Sequence, residues 1–219
     1  MNPTVLARRA VPALLPLVLI ACSQDRHAPA FRTELPALAA GAHAIVVDGD
    51  SAAHDGTEFV GSKGAAYVVF ADDSNAAANV IYRRRDGASA WQRVPRATGD
   101  LQLAGALDAP LTIAAWTMPA AATAYRALLG TAVTSFTLAP DGKLTAAADG
   151  CRVGGTIAGA DLAAAAEAAL NFSGCAASGG PADGDYDGIA YLDPDASNAA
   201  FHVVVDNGSA IADFYAYAP

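Results

Sequence analysis

Between residues 131 and 217 the chain is a succession of short apolar runs separated by turn residues. Residues 132–138 lead into Pro140-Asp141-Gly142, and residues 143–146 lead towards Asp149-Gly150. Further runs follow at 151–157, 168–175, 186–192, 201–205 and 210–217, the last two joined by Asn207-Gly208. Turn signals spaced by roughly 8–12 residues between β-rich runs predict an antiparallel meander that closes into a barrel or packs as a sandwich. Asn207-Gly208 is the strongest of them and predicts a type I′ turn, which needs φ > 0 at both central residues.

The first half is less regular. Residues 65–70 read as a strand ended by Asp72-Asp73-Ser74-Asn75, and 80–84 with 90–94 as a hairpin turning at Asp86-Gly87. Leu101, Leu103, Gly105 and Leu107 alternate along one strand face, residues 111–116 read as a strand after Pro110, and 123–129 suits a short helix or a strand. Residues 161–170 are in conflict with themselves. Asp161 as N-cap before an alanine-rich run favours helix. Ala168, Leu170 and Phe172 nevertheless alternate with Glu167, Asn171 and Ser173 at strand period, so a strand is expected from about Ala166. The expectation is an all-β protein, an antiparallel meander of about 8–10 strands forming one domain over residues 57–219. Residues 22–56 read as a tether rich in Ala and Pro, in which only 44–47 suits a strand.

Cys151 and Cys175 are equidistant from residue 163, so a hairpin folded about that point sets them opposite each other, within reach of a disulfide. That pairing suits an exported chain, and the first residues carry an export signal. Arg8 and Arg9 precede an apolar stretch at 11–21, too short for a bilayer span of roughly 20 residues. It ends in Leu19-Ile20-Ala21-Cys22, which resembles the lipobox of bacterial lipoproteins. The resemblance implies cleavage behind Ala21, a signal peptide at 1–21, acylation of Cys22 and, with Ser23 in place of Asp, residence at the outer membrane, facing the periplasm or the outside. The second half adds a further likeness. Gly150-Cys151, then Asn171-Phe172-Ser173-Gly174-Cys175, then Tyr186-Asp187-Gly188-Ile189-Ala190-Tyr191 resembles the C-terminal half of small β-barrel envelope lipoproteins of proteobacteria. That family has no assigned function, so the likeness implies a single barrel, similar in layout to the lipocalins, and leaves the activity open.

Charge narrows the partners. The formal net charge is −9, and removal of Arg8 and Arg9 with the signal makes the mature chain more acidic still. Acidity argues against nucleic acid and against anionic head groups, so the membrane partner is reached through the lipid. Asp183-Gly184-Asp185-Tyr186-Asp187-Gly188 matches the first half of a calcium loop, making Asp183, Asp185 and Asp187 candidate metal ligands. Pro194 stands where the bidentate glutamate belongs, and no cofactor is implied. Arg83, Arg84, Arg85 and Arg93, with Trp91 among them, form a basic patch suited to an envelope protein's carboxylates or an anionic glycan, or else a solvated edge hairpin. His27, His43, His54 and His202 lack metal-ligand spacing, and His202 is expected packed or outward-facing within an apolar strand. No nucleophile elbow, zincin, P-loop or dinucleotide motif occurs, so the expectation is not an enzyme but a binding or structural lipoprotein. An alternative is an inhibitor or immunity lipoprotein against a cationic cell-wall hydrolase. For that role the stretch Ser62-Lys63-Gly64-Ala65-Ala66-Tyr67 departs by its lysine from the Ser-Gly-x-x-Tyr motif of lysozyme inhibitors.

Overall fold

A side-chain period of two governs the chain and builds two antiparallel sheets. The computed structural model describes residues 33–35, 37–48, 53–71, 77–96, 101–102, 104–147, 150–159, 162, 164–196 and 198–219. The signal, Cys22, His27 and Asp161 lie outside these residues. β1 (Thr33–Glu34) pairs in parallel with β7 (Leu101–Gln102). β2 (Gly41–Asp48), β3 (Ala53–Val60), β4 (Ala66–Ala71), β5 (Ala78–Arg84), β6 (Gln92–Val94) and β8 (Ala104–Leu111) form a six-stranded sheet in the order β6-β5-β4-β3-β2-β8. Pro110 falls on β8, an edge strand, the kind of strand to which proline is confined in sheets.

The second half is the expected meander. β9 (Thr123–Leu129), β10 (Ala132–Leu138), β11 (Lys143–Ala146), β12 (Arg152–Gly159), β13 (Ala165–Ser173), β14 (Gly184–Tyr191), β15 (Phe201–Asp206) and β16 (Ile211–Tyr217) each pair with the next, and β16 returns to β9 to close an eight-stranded barrel. The seam is short. Only Ala216↔Ala127 and Tyr217↔Arg126 are in register there, against seven pairs between β9 and β10.

Alternation fills the barrel from within. Along β13, Ala166, Ala168, Leu170 and Phe172 are buried inside while Glu167, Ala169 and Asn171 face out. Phe136 and Phe172 each meet Phe214 edge-on, at 6.5 and 6.2 Å between ring centroids, and Phe172 meets Tyr186 at 5.1 Å. Past Leu111 the chain makes no strand until Thr123, and Trp116 packs edge-on against Phe201 at 5.3 Å. Residues 111–116 therefore do not form the expected strand, because their aromatic residue is drawn onto the barrel core.

Other expectations need correction. Strands at Gly41–Asp48 and Ala53–Val60 fall within the expected tether of 22–56, so folded structure starts before residue 57. Residues 57–219 are also not one barrel, since β3 to β6 and β8 belong to the first sheet. The Cys151–Cys175 disulfide is present. The hairpin register, however, runs Arg152↔Ser173 and Val153↔Phe172, one residue from the symmetry that sets the cysteines directly opposite. Gly174, at φ +71°, bends the chain and brings Cys175 across, with 4.2 Å between the two Cα atoms. At residues 207–210 the loop is four residues long rather than a two-residue type I′ turn, because Asp206 pairs with Ile211. Gly208 alone has positive φ, at +85°, while the Asn207 side chain accepts from the Ser209 and Ala210 amides at 3.0 and 2.8 Å. An asparagine that caps its own loop has no need of the left-handed region.

One strand ties the two sheets together. Every residue of β15 is buried. Phe201, Val203 and Val205 point into the barrel, and Val204 lies in a second core with Ile189, Phe59, Tyr67, Val69 and Ile81. The first sheet thus covers the outer wall of the barrel at β14–β15, and β15 has an apolar neighbour on both faces.

Candidate functional site

Two polar clusters flank Val204 where sheet meets barrel. At one end His202 has a side chain only 4% exposed. Its Nε2 lies 2.5 Å from Asp213 Oδ1 and its Nδ1 lies 3.4 Å from Asp193 Oδ2. Tyr215 stacks on the imidazole at 4.0 Å and donates its hydroxyl to Asp193 at 2.9 Å. The other oxygen of Asp213 accepts the Ala78 amide, so this cluster fastens β5 to β16. Burial alone pulls the His202 pKa down, but the hydrogen bonds and charges of Asp193 and Asp213 outweigh it and raise the pKa above the usual imidazole value. Asp193 is held down at about 2, first by its hydrogen bond with His202. His202 is thus both packed and outward-facing with respect to the barrel, between the rings of Tyr191 and Tyr215.

At the other end Arg83 Nη1 lies 3.0 Å from Asp206 Oδ2, whose side chain has no exposure. Burial pushes the Asp206 carboxyl up despite Arg83, which pulls it down. Its other oxygen accepts the Gly208 amide at 2.8 Å. Tyr67 donates its hydroxyl to the Val204 carbonyl at 3.4 Å. Gly188 makes room for that hydroxyl, since a Cβ there would crowd Tyr67 and overlap the Val204 carbonyl oxygen.

Beside this second cluster opens a cleft of about 790 Å³ between sheet and barrel. Its sheet wall carries Lys63, Arg83, Arg84, Arg85 and Asp86. Its barrel wall carries Glu167 and Asp187 with Thr156, and Ala158 and Ala169 supply exposed apolar surface. Charge is therefore sorted by wall: the sheet side is basic at four of five charged positions, and the barrel side is acidic at both.

The expected arginine patch comes together in part. Arg83, Arg84 and Arg85 line the cleft, whereas Trp91 and Arg93 do not. Trp91 takes the Arg84 guanidinium over its ring at 4.7 Å, and Arg84 Nε donates to the Gly64 carbonyl at 2.9 Å. Arg83 Nε donates to Gln92, and Arg93 donates to the Pro95 carbonyl. The three candidate calcium ligands are placed apart in role. Asp183 accepts the Gly174 amide at 2.8 Å, Asp185 accepts from Asn171 at 2.7 Å, and Asp187 faces the cleft from within β14. Among the described residues no three His, Cys, Asp or Glu side chains gather into a metal-binding group.

Lys63 and Glu167 carry no sequence signal that marks them as cleft residues. Glu167 was visible as the exposed charge within an apolar alternation, but nothing in sequence brings β4, β5 and β13 side by side. Comparison with protein-family models, curated proteins and solved structures finds no match for this chain.

Proposed function

We propose that the chain is a non-catalytic binding lipoprotein of the bacterial outer membrane, held by a lipid on Cys22, with its ligand in the cleft between sheet and barrel. One observation carries the binding part of this reading. The barrel interior, where a lipocalin-like protein would hold a ligand, is packed with aromatic rings, whereas the interfacial cleft is open and lined by charge. A concave site with a few convergent polar groups is where small ligands bind. The anchor rests on Leu19-Ile20-Ala21-Cys22.

Two measurements test it. Cys22→Ala should abolish incorporation of labelled palmitate and release the protein from the membrane fraction; a variant that still pellets and labels would remove the anchor. In affinity capture from envelope extract, a component retained by the wild type should be lost with Lys63→Glu/Arg85→Glu. Equal retention by the two would sink the cleft as the site.

The acidic balance also supports the second reading, an inhibitor of a cationic cell-wall hydrolase. Residues 62–67 are not its recognition loop on this reading, because Tyr67 is buried against Val204. Inhibition of lysozyme that survives Tyr67→Phe would favour this alternative.

A further inference from the structure

The sorting of charge across the cleft says more than that a ligand binds there. A site for a simple anion gathers cations around one point. Here Lys63 and Arg85 stand on the sheet wall, and Glu167 and Asp187 stand across from them on the barrel wall. Arg83 and Arg84 are already engaged, by Asp206 and Gln92 in one case and by Gly64 and Trp91 in the other. Drawing Arg83 away to a ligand would leave the Asp206 carboxylate buried without its cation, which is costly. Arg85, at the exposed head of the β5–β6 turn, is the cation best placed to meet an incoming anion. Glu167 is exposed on the outer face of β13, and Asp187 is exposed one strand away on β14.

A pure anion would gain from Arg85 and be repelled by Glu167 and Asp187; a pure cation would meet the reverse. Only a ligand bearing both signs gains on both walls. The volume of about 790 Å³ falls within the range of sites for drug-sized molecules and exceeds what a single amino acid needs. Ala65, Ala158 and Ala169 give the cleft its accessible apolar surface, which suits small aliphatic side chains.

We infer that the cleft binds a short peptide or peptide conjugate with a free ammonium and a free carboxylate, the carboxylate against Arg85 and the ammonium against Glu167 and Asp187. This rests on the cleft-binding reading above and narrows its ligand class. Isothermal titration calorimetry at low salt on the purified full chain tests it with four probes: trialanine, N-acetyl-trialanine, trialanine amide and glutarate. Trialanine should bind, and each blocked form should bind about fivefold more weakly, the loss of one partly exposed charge pair. Glu167→Gln should shrink the penalty of acetylation and keep that of amidation, and Arg85→Ala should do the opposite. Both are exposed positions, and unchanged melting temperatures would show the fold intact. Equal affinity for free and blocked peptides, or no heat with any tripeptide, overturns the inference. Glutarate binding that depends on Arg85, without tripeptide binding, also overturns it while leaving the cleft a binding site. Silence from all four probes removes both readings.

Discussion

His202 shows how one side chain can make the fold depend on pH. Its pKa is raised in the folded state, so its contribution is fully present below the unfolded value of about 6.5 and is lost as pH rises through the folded value. Asp193 is held at about 2, so its contribution is present above its ordinary value of roughly 4 and is lost as pH falls towards 2. The cluster is therefore strongest between roughly pH 4 and pH 6.5. Calorimetric melting temperatures should fall between pH 6 and pH 9 in the wild type. His202→Gln should melt lower at pH 6, by about 3 kcal/mol of stability if Asp213 is left as an unpaired buried charge, and should lose most of that pH slope. A wild-type slope retained by the variant would assign the titration elsewhere. Gly155 makes a sterner demand. At φ +131°, with a Cβ that would overlap the Ala169 carbonyl oxygen, it admits no side chain without shifting β13. Gly155→Val should lower soluble yield and the melting temperature more than Gly159→Val does, since a Cβ at Gly159 meets open space.

Among the elements, the hairpin of β12 and β13 carries the staple. Its disulfide should contribute about 3 kcal/mol by the chain-entropy argument for a loop of this length. The short helical turn that follows, Ala176–Ser178, adds a second tie, since the Ser178 carbonyl accepts from the Thr131 amide at 2.8 Å and joins this hairpin to the turn of β9 and β10. The Cys151→Ser/Cys175→Ser double variant should keep a β-type circular dichroism spectrum and melt at a lower temperature; loss of that spectrum would mean the cross-link is needed to form the barrel at all. Period and turn chemistry made this half legible. The alternation of Ala168, Leu170 and Phe172 with Glu167, Asn171 and Ser173 prevailed over the helix propensity of the alanines because barrel burial acts on one face of a strand. Residues 41–60 were not legible in the same way. His43 and Glu58 are buried in that sheet, and Gly56 lies against Phe70, where its lack of a Cβ matters. Polar and glycine positions of that kind read as tether in a single sequence. The cleft was least legible of all, because its walls come from segments about a hundred residues apart whose proximity depends on tertiary packing.

In the whole molecule, the joint between the sheets combines an apolar centre with ionic ends. Arg83→Ala should cost about 3 kcal/mol by leaving Asp206 buried and unpaired, and Asp206→Asn placed on top should recover part of it. Urea melts of the single and double variants measure this, and a double variant weaker than the single would deny that the charge is what matters. The barrel also has a weakest ladder. A closed barrel has no edge until one of its ladders parts; two ladders have only two in-register pairs, β11–β12 and β16–β9, and of these the second joins strands that no turn connects. Thermal fluctuation should therefore unzip the hoop there first, converting a cylinder into an open sheet with two free margins. In native-state deuterium exchange the amides of Arg126 and Tyr217 should label well before those of Val203 and Val205. Closure of the barrel then rests on two residue pairs at that seam, and removing Tyr217 should shorten the lag before aggregation while leaving the cleft as it is.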